Sequence, residues 1–226
     1  MKEKAVVLMI MCFVLVLASC LSPYTEGEKN KSGLPGKETL IDYTSFEQMD
    51  GGIGYKFYTM DAKYRTPSGY TLWTYNKDPS DVFDRREVKL VKPTGDNIAG
   101  YGVIICSGQQ VVEGRLEVVF MTVMINNMGQ YAVGKVIGGT YIPIESWRTP
   151  GTLNSGSGRA NIMVVEKDTE VANRYNLYFN GNHNVATDFF VDSMDPLCGG
   201  TGRNGYIVVI SPNDISGSAV EVYFYE

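Results

Sequence analysis

The chain has 226 residues, of which 44% are hydrophobic and 20% are charged, as in an ordinary globular protein. Its formal net charge of −5 argues against a nucleic-acid partner, because no excess of Lys and Arg is present to neutralise phosphates. Fifteen tyrosines and 25 glycines accompany a single histidine. This mixture favours strands and tight turns over helices, and it excludes a zinc site built from imidazoles.

The first twenty residues predict export to the cell envelope. Lys2 and Lys4 form a short basic region, and the apolar run AVVLMIMCFVLVL is too short to span a bilayer comfortably. The run ends in Leu-Ala-Ser directly before Cys20, which is similar to a bacterial lipobox. We therefore expect a lipoprotein signal peptide over residues 1–20 and a lipidated Cys20 that anchors the protein to a membrane. An ordinary signal peptide or an uncleaved anchor is the alternative.

The remainder divides into a tether and one domain. Residues 21–45 are largely polar and contain Gly and Pro without a hydrophobic period, which predicts a flexible tether. Residues 46–226 are rich in aromatic residues and contain no internal repeat. Their length suits one domain with its own core.

The domain reads as a series of short strands separated by turns, and no amphipathic helix is predicted. Asn-Gly at 180–181 suits a type I′ hairpin turn. The segment 115–126 is apolar on both faces, which predicts a central strand covered on both sides. The predicted strands are 70–76, 86–92, 100–106, 115–126, 130–138, 160–167, 174–180, 206–211 and 219–225. This pattern predicts an all-β sandwich or barrel.

Several motifs occur in a recognisable order. They are Gln130-Tyr131, Trp147, the glycines of 156–158 with Asn161, Asn180-Gly181, and the glycine-rich entry into YIVVIS. This order resembles the concanavalin A-like lectin/glucanase superfamily, most closely the laminin-G-like jelly-roll domains of bacterial secreted proteins and lipoproteins. The likeness covers about residues 70–226 and implies a two-sheet antiparallel jelly-roll sandwich. It implies no single function, because the architecture hosts binding modules and enzymes alike.

The run EKDTE, Glu166 to Glu170, is similar to the catalytic triplet of retaining β-glucanases of this fold. Such a triplet needs its acids on one face of a strand, with apolar residues between them. Here Lys167 and Thr169 lie between the acids, and the run joins two predicted strands. We interpret it as a solvated hairpin tip and expect no catalytic residues.

A second motif, GTGRNG at 200–205, has the spacing of a dinucleotide-binding loop. It precedes a predicted strand and not a helix, so no helix N-terminus would receive a pyrophosphate. We therefore expect no nucleotide cofactor.

Aromatic rings are the candidates for glycan binding. Trp73, Tyr141 and Trp147 could stack on a sugar, with Asn161 as a hydrogen-bonding partner. The alternative is that these rings pack against the core with their polar atoms outward.

Acids and cysteines offer weaker candidate sites. Asp188, Asp192 and Asp195 supply oxygen atoms for a structural Ca²⁺, although their spacing differs from that of an EF-hand loop. Cys106 and Cys198 either form a disulfide, which export permits, or remain separate buried thiols.

The lone His183 follows a predicted hairpin turn and reads as an exposed loop residue, although it is the only imidazole available as a base. The sequence as a whole predicts an envelope lipoprotein that binds a glycan without cleaving it. A glycoside hydrolase of the same fold and a protein-binding adhesin or structural lipoprotein are the alternatives.

Overall fold

A computed structural model describes residues 39–40, 46–60, 71–76, 85–191, 203–211, 214 and 218–226. The strands of these residues are β1 (Thr39–Leu40), β2 (Phe46–Gln48), β3 (Gly54–Thr59), β4 (Thr71–Asn76), β5 (Arg85–Thr94), β6 (Tyr101–Val112), β7 (Arg115–Ile125), β8 (Tyr131–Ile137), β9 (Thr140–Arg148), β10 (Asn161–Lys167), β11 (Arg174–Phe179), β12 (Asn182–His183), β13 (Phe189–Phe190), β14 (Arg203–Ile210) and β15 (Val220–Tyr225).

The strands form two sheets. Sheet A has the order β1-β4-β14-β6-β7-β8-β9, and sheet B has the order β12-β11-β10-β5-β15-β3-β2, with β13 also paired to β11. The strand pairs are antiparallel except the short parallel pair of β1 with β4. The predicted two-sheet jelly-roll sandwich is therefore confirmed. In the described residues no helix is long and apolar enough to cross a membrane.

All nine predicted strands are present, with ends that differ by a few residues at most, except β6, which continues six residues further to Val112. The sequence analysis missed β2, β3 and β9 and the two-residue strands β12 and β13. The sequence of β9 does not alternate regularly between apolar and polar residues, because two register shifts interrupt its pairing with β8. Strand β1 lies within the range predicted as a tether, where it adds to the edge of sheet A.

The main core lies between the two sheets. Alternate residues of the central strands point into it, such as Val103 and Val123 from sheet A and Leu90 and Phe224 from sheet B. These side chains are at most 1% exposed. Burial of this continuous cluster supplies the main driving force that holds the sheets together.

Sheet A also carries a second apolar cluster on its opposite face, which we call face A. Its buried members come from β6, β7, β8 and β14 and from the residue Ala99: Ala99, Ile104, Phe120, Met124, Val136, Ile207 and Val209. No residue of sheet B belongs to this cluster. Strand β7 is consequently buried on both faces from Val119 to Ile125, as its sequence predicts.

A buried lysine closes one end of the sandwich. Lys92, at the end of β5, is 0% exposed. Its Nζ donates hydrogen bonds to the carbonyl oxygens of Asp96 at 2.7 Å and Ala99 at 2.9 Å. Burial lowers the pKa of Lys92 from 10.5 to about 8, although the carboxylates of Asp214 and Asp96 favour the charged form.

The lowered pKa predicts a specific dependence of stability on pH. Between pH 8 and 10.5 the unfolded chain binds more protons at Lys92 than the folded chain does, so the free energy of unfolding should rise with pH. From pH 8 to pH 9.5 we expect the free energy of unfolding, measured with urea, to rise by about 1 to 2 kcal/mol relative to Lys92→Met, because the tyrosines whose pKa values burial raises act in the opposite direction in both proteins. Lys92→Met should abolish the rise, whereas Lys89→Met, on the same strand, should keep it. A rise that persists in Lys92→Met would contradict this assignment.

Candidate functional site

Face A differs from an ordinary solvent-facing sheet surface because the charged residues of its strands β6–β9 point the other way. Arg115 and Glu117 share the alternation of the inward-facing Met121. On β9, Glu145 pairs with Val133 and Arg148 pairs with Tyr131, both members of the main core. Lys135 alternates with these two partners along β8, so its side chain is on their side of the sheet, away from face A. The outward positions of these strands therefore hold only uncharged side chains.

Tyr141 lies flat across face A because a glycine makes room for its ring. A Cβ atom placed on Gly134 would lie only 2.2 Å from Cε2 of Tyr141. The neighbouring register pair, Val136 with Tyr141, places both residues on the same face of the sheet. The ring packs against the second apolar cluster, and burial raises the pKa of Tyr141 to about 12.

Trp147 occupies a similar position at the other end of β9. A Cβ atom placed on Gly100 would lie 2.9 Å from Cη2 of Trp147 and 3.2 Å from Sδ of Met124. The indole therefore covers Gly100 beside the face A residue Met124, and 39% of Trp147 remains exposed. Tyr141 and Trp147, both predicted from the sequence, thus lie on one face of sheet A.

The other two predicted ligand-binding residues do not join them. Asn161 begins β10 in sheet B and is 1% exposed. Its Oδ1 accepts hydrogen bonds from the Asn154 backbone at 2.8 Å and the Asn180 side chain at 2.9 Å, and its Nδ2 donates to the Asn154 carbonyl. Asn161 therefore fixes the loop after β9. Trp73 lies on β4, with β14, β6, β7 and β8 between it and β9, and its backbone pairs with Val208.

The structure corrects the interpretation of EKDTE as a solvated hairpin tip, because the run begins within a strand and its acids have specific partners. Glu166 is still within β10, where it accepts a hydrogen bond from Tyr178 at 3.2 Å and lies 3.8 Å from Nε of Arg85. Asp168 accepts hydrogen bonds from the backbone N–H groups of Val171 and Glu170, which lower its pKa to about 2. Asp168 thus shapes the β10–β11 turn.

Glu166 is the one acid of the EKDTE run that lies in a strand. Glu166 shares the alternation of Ile162 and Val164, so it lies on the outer surface of sheet B, which we call face B. Face A lies on the opposite side of the sandwich. Among the strands of the described chain, none carries two carboxylates at alternate positions.

His183 and Asp188 bind each other at the edge of sheet B. Nε2 of His183 lies 2.9 Å from Oδ1 of Asp188, and the imidazole stacks on the Tyr178 ring at 4.6 Å. The same carboxylate oxygen accepts the backbone N–H of Leu177 at 3.2 Å. Within the described ranges no three or more His, Cys, Asp or Glu residues are grouped to hold a metal ion. Asp192 and Asp195, the other acids of the calcium prediction, lie outside those ranges.

The cysteine predictions fall mainly outside the described residues. Cys106 lies at a register shift between β6 and β7 and is disulfide-bonded. Cys198 and the predicted lipidation site Cys20 are not among the residues that the structure describes. The pairing of Cys106 with Cys198 and the lipidation of Cys20 therefore stay predictions.

The sequence analysis missed the residues that position the two rings: Gly100, Gly134 and Met124. A glycine inside a predicted strand is a usable signal, because it often marks a close approach of another group to the backbone. Gly134 lies in the middle of a predicted strand and has this role here.

No protein-family model and no curated protein matches the sequence. The fold is similar to that of a Bacillus licheniformis beta-glucanase, with 8% identity, a TM-score of 0.52, and coverage of 90% of this chain and 92% of the other. It is also similar to a glycoside hydrolase family 16 endo-glucanase from Bacteroides ovatus, with 8% identity, a TM-score of 0.51, and coverage of 87% and 90%. A third similar structure is that of a native glycosidic hydrolase, with 9% identity, a TM-score of 0.53, and coverage of 88% of this chain and 85% of the other. These likenesses establish the concanavalin A-like jelly-roll fold.

The packing of Tyr141 on Gly134 predicts a coupling between the two positions. Gly134→Ala would force the ring from its place, and we expect a loss of about 1 to 3 kcal/mol in the free energy of unfolding. In a Tyr141→Ala background the added methyl group has room, so the same change should cost less than about 0.5 kcal/mol. Urea unfolding of the four proteins measures the coupling. Additive effects would show that the ring does not occupy this position.

Proposed function

We propose that the protein is an exported, lipid-anchored component of a bacterial cell envelope that binds a glycan without cleaving it. The fold that it shares with glucanases supports a carbohydrate ligand by analogy. The observation that carries the proposal is the position of Trp147, whose ring covers Gly100 while 39% of the residue remains exposed.

A ring held in this way suits a sugar. Contact with Gly100 and Met124 fixes the indole against the sheet, so little side-chain freedom is lost when a ligand stacks on it. The C–H groups of a pyranose can pack on the aromatic face, and the indole N–H offers a hydrogen-bond donor. Tyr141, on the same strand and the same face, extends the aromatic surface.

The non-catalytic part of the proposal is supported by the positions of the acids. Retaining hydrolysis needs two carboxyl groups about 5 to 5.5 Å apart beside the scissile bond. Glu166, the acid of the EKDTE run that lies in a strand, is on face B and contacts Arg85 and Tyr178. It is therefore remote from Trp147. Glycoside hydrolysis is the alternative, and release of reducing ends from a bound glycan would establish it.

The anchor is supported by the Leu-Ala-Ser-Cys20 motif after a basic and then apolar N-terminus. We expect cells that express the wild-type chain to incorporate labelled palmitate into it. Cys20→Ser should remove the label, because the thiol that carries the lipid is absent. Labelling that persists in Cys20→Ser would contradict lipidation at this residue.

One observation favours a second candidate, binding of a protein partner. The edge strand β9 exposes three large apolar side chains: Ile142 at 44%, Ile144 at 40% and Trp147 at 39%. Ile142 pairs with Lys135, so it lies on the side of β9 opposite Trp147 and would contact a partner separately from the ring. A partner that binds here should be lost on Ile142→Ser, whereas a glycan stacked on Trp147 should remain bound.

The leading proposal predicts the effect of removing one ring. A glycan array first identifies a ligand of the wild-type protein, and calorimetry then measures its affinity. Trp147→Ala should weaken that affinity at least about tenfold, or by about 1.4 kcal/mol. Phe190→Ala is the matched control, because Phe190 is 59% exposed but lies in sheet B. Circular dichroism should show an unchanged fold in both variants. Unchanged affinity in Trp147→Ala would remove this residue from the site.

A further inference from the structure

We infer that the end of the sandwich beside Trp147 recognises the N-acetyl group of an amino sugar. The inference rests on the proposed glycan-binding function and names the class of glycan that the same site accepts. The observation that carries it is an exposed amide donor with a fixed orientation, Nδ2 of Asn97, which lies beside apolar side chains.

Asn97 lies in the β5–β6 loop, and the buried Lys92 fixes that loop on both sides of it. Nζ of Lys92 donates to the carbonyl oxygens of Asp96 at 2.7 Å and Ala99 at 2.9 Å, the residues that flank Asn97 and Ile98. The backbone N–H of Ala99 also donates to the Asp96 carbonyl at 3.2 Å. The two residues between them are therefore presented on a closed turn.

Two other loops are joined to Asn97. Asn127, in the β7–β8 turn, is 3% exposed. It donates from its backbone N–H to the Asn97 carbonyl at 3.0 Å and from Nδ2 to Oδ1 of Asn97 at 3.2 Å. Oγ of Ser157, in the loop after β9, donates to the same Oδ1 at 2.9 Å. A hydrogen-bonded network of this kind holds the loops in one arrangement before a ligand binds.

The same bonds determine the orientation of the Asn97 amide. Oδ1 accepts hydrogen bonds from both Asn127 and Ser157, so a half-turn of the amide would lose both. Asn97 is exposed, and its Nδ2 donates no hydrogen bond to any residue that the structure describes. Asn97 therefore offers two N–H groups to a ligand.

Exposed apolar side chains lie next to this donor. Ile98 is 44% exposed and Met128 is 53% exposed, and each directly follows one of the two hydrogen-bonded asparagines. The Met128 backbone N–H donates to Oδ1 of the buried Asn126 at 3.0 Å, which fixes the turn. Trp147, whose ring covers Gly100, lies at the end of β9. The donor is therefore bordered by apolar groups from three segments of the chain.

An N-acetyl group matches both parts of this surface. Its carbonyl oxygen accepts a hydrogen bond from Nδ2 of Asn97, and its methyl group packs against the side chains of Ile98 and Met128. A hydroxyl group at the same carbon lacks the methyl contact. The ammonium group of a deacetylated sugar has no lone pair for the Asn97 donor and loses hydration against apolar side chains. The surface therefore distinguishes sugars by acetylation.

The donor and the Trp147 ring are close enough for one oligosaccharide to contact both. Asn97 lies three residues before Gly100, which the ring covers, so the chain between them spans at most about 11 Å. A sugar stacked on Trp147 therefore places a neighbouring sugar within reach of Asn97. The ligand that fills both positions is an oligosaccharide and not a single sugar.

Three tetrasaccharides with the same β-1,4-linked backbone test the inference. Chitotetraose carries an acetamido group at carbon 2 of each sugar, cellotetraose carries a hydroxyl group there, and the glucosamine tetramer carries an ammonium group. Calorimetry of the full-length protein should give an affinity for chitotetraose at least about tenfold higher than for either of the others.

Asn97→Asp removes the donor and keeps the acceptor. The carboxylate still accepts hydrogen bonds from Asn127 and Ser157, but its second oxygen faces the acetyl carbonyl. The affinity for chitotetraose should therefore fall at least about tenfold, and the preference over cellotetraose should disappear. Urea unfolding checks that the variant is folded. A folded Asn97→Asp protein with an unchanged preference would contradict the inference.

Met128→Ala tests the methyl contact. It should lower the affinity for chitotetraose about threefold and leave that for cellotetraose unchanged, because only the acetyl methyl group covers the Met128 side chain. Met60→Ala is the matched control, because Met60 is 50% exposed but follows β3 in sheet B. Equal losses in the two variants would show that the acetyl group does not contact Met128.

Failure of the inference is distinguishable from failure of the proposed function. Equal affinities of the wild-type protein for chitotetraose and cellotetraose would refute recognition of the N-acetyl group, while glycan binding would stand. Failure of every glycan to bind the folded protein would refute the proposed function, and the inference with it.

Discussion

The central strands of sheet A are apolar on both faces, and this constraint shapes the rest of the described structure. Its inner face packs on sheet B and forms the main core, whereas its outer face carries a second cluster that sheet B does not touch. Charged residues of β6–β9 are therefore confined to positions that alternate with the inner face. Gly134 is small for the same reason, because the Tyr141 ring packs directly on the strand there. In the described strands, face B therefore carries ion pairs, such as that of Lys56 with Glu221, whereas the outward positions of β6–β9 hold uncharged side chains.

The positions of the acidic residues support the proposal that the protein binds a glycan without cleaving it. Hydrolysis of a glycosidic bond requires carboxylates that are held firmly beside the substrate, with their pKa values set apart by their surroundings. The outward positions of β6–β9 supply aromatic and aliphatic contacts in place of acids. Glu166, an acid that does lie in a strand, is bound by neighbouring Arg and Tyr side chains. Aromatic contacts can hold a glycan in place, and binding is the activity that we propose.

The sequence was sufficient for the architecture but only partly for the site. Period-two patterns identified nine strands, and the two-sided burial of β7 was readable from its uninterrupted apolar run. Strand β9, which carries both rings, was missed because register shifts break its alternation. Asn161 was predicted to bind a ligand, but its side chain is occupied by hydrogen bonds to Asn154 and Asn180. No local sequence pattern reveals these bonds, because they join separate segments of the chain. The side of the sheet on which Trp147 lies likewise depends on how β9 pairs with β8, which the strand propensities of single residues do not specify.

The most direct test of the central claim is to observe which face meets the ligand. Methyl NMR of the folded protein, titrated with a neutral glycan that binds it, reports on both faces in one experiment. Our account predicts shifts for the Met124 methyl group and for the Trp147 indole, which lie side by side on face A. Ile162 and Val164, on face B, should stay unchanged. Shifts confined to Ile162, Val164 and the neighbouring Tyr225 would contradict the account, because they would place the ligand on the ionic side of the sandwich.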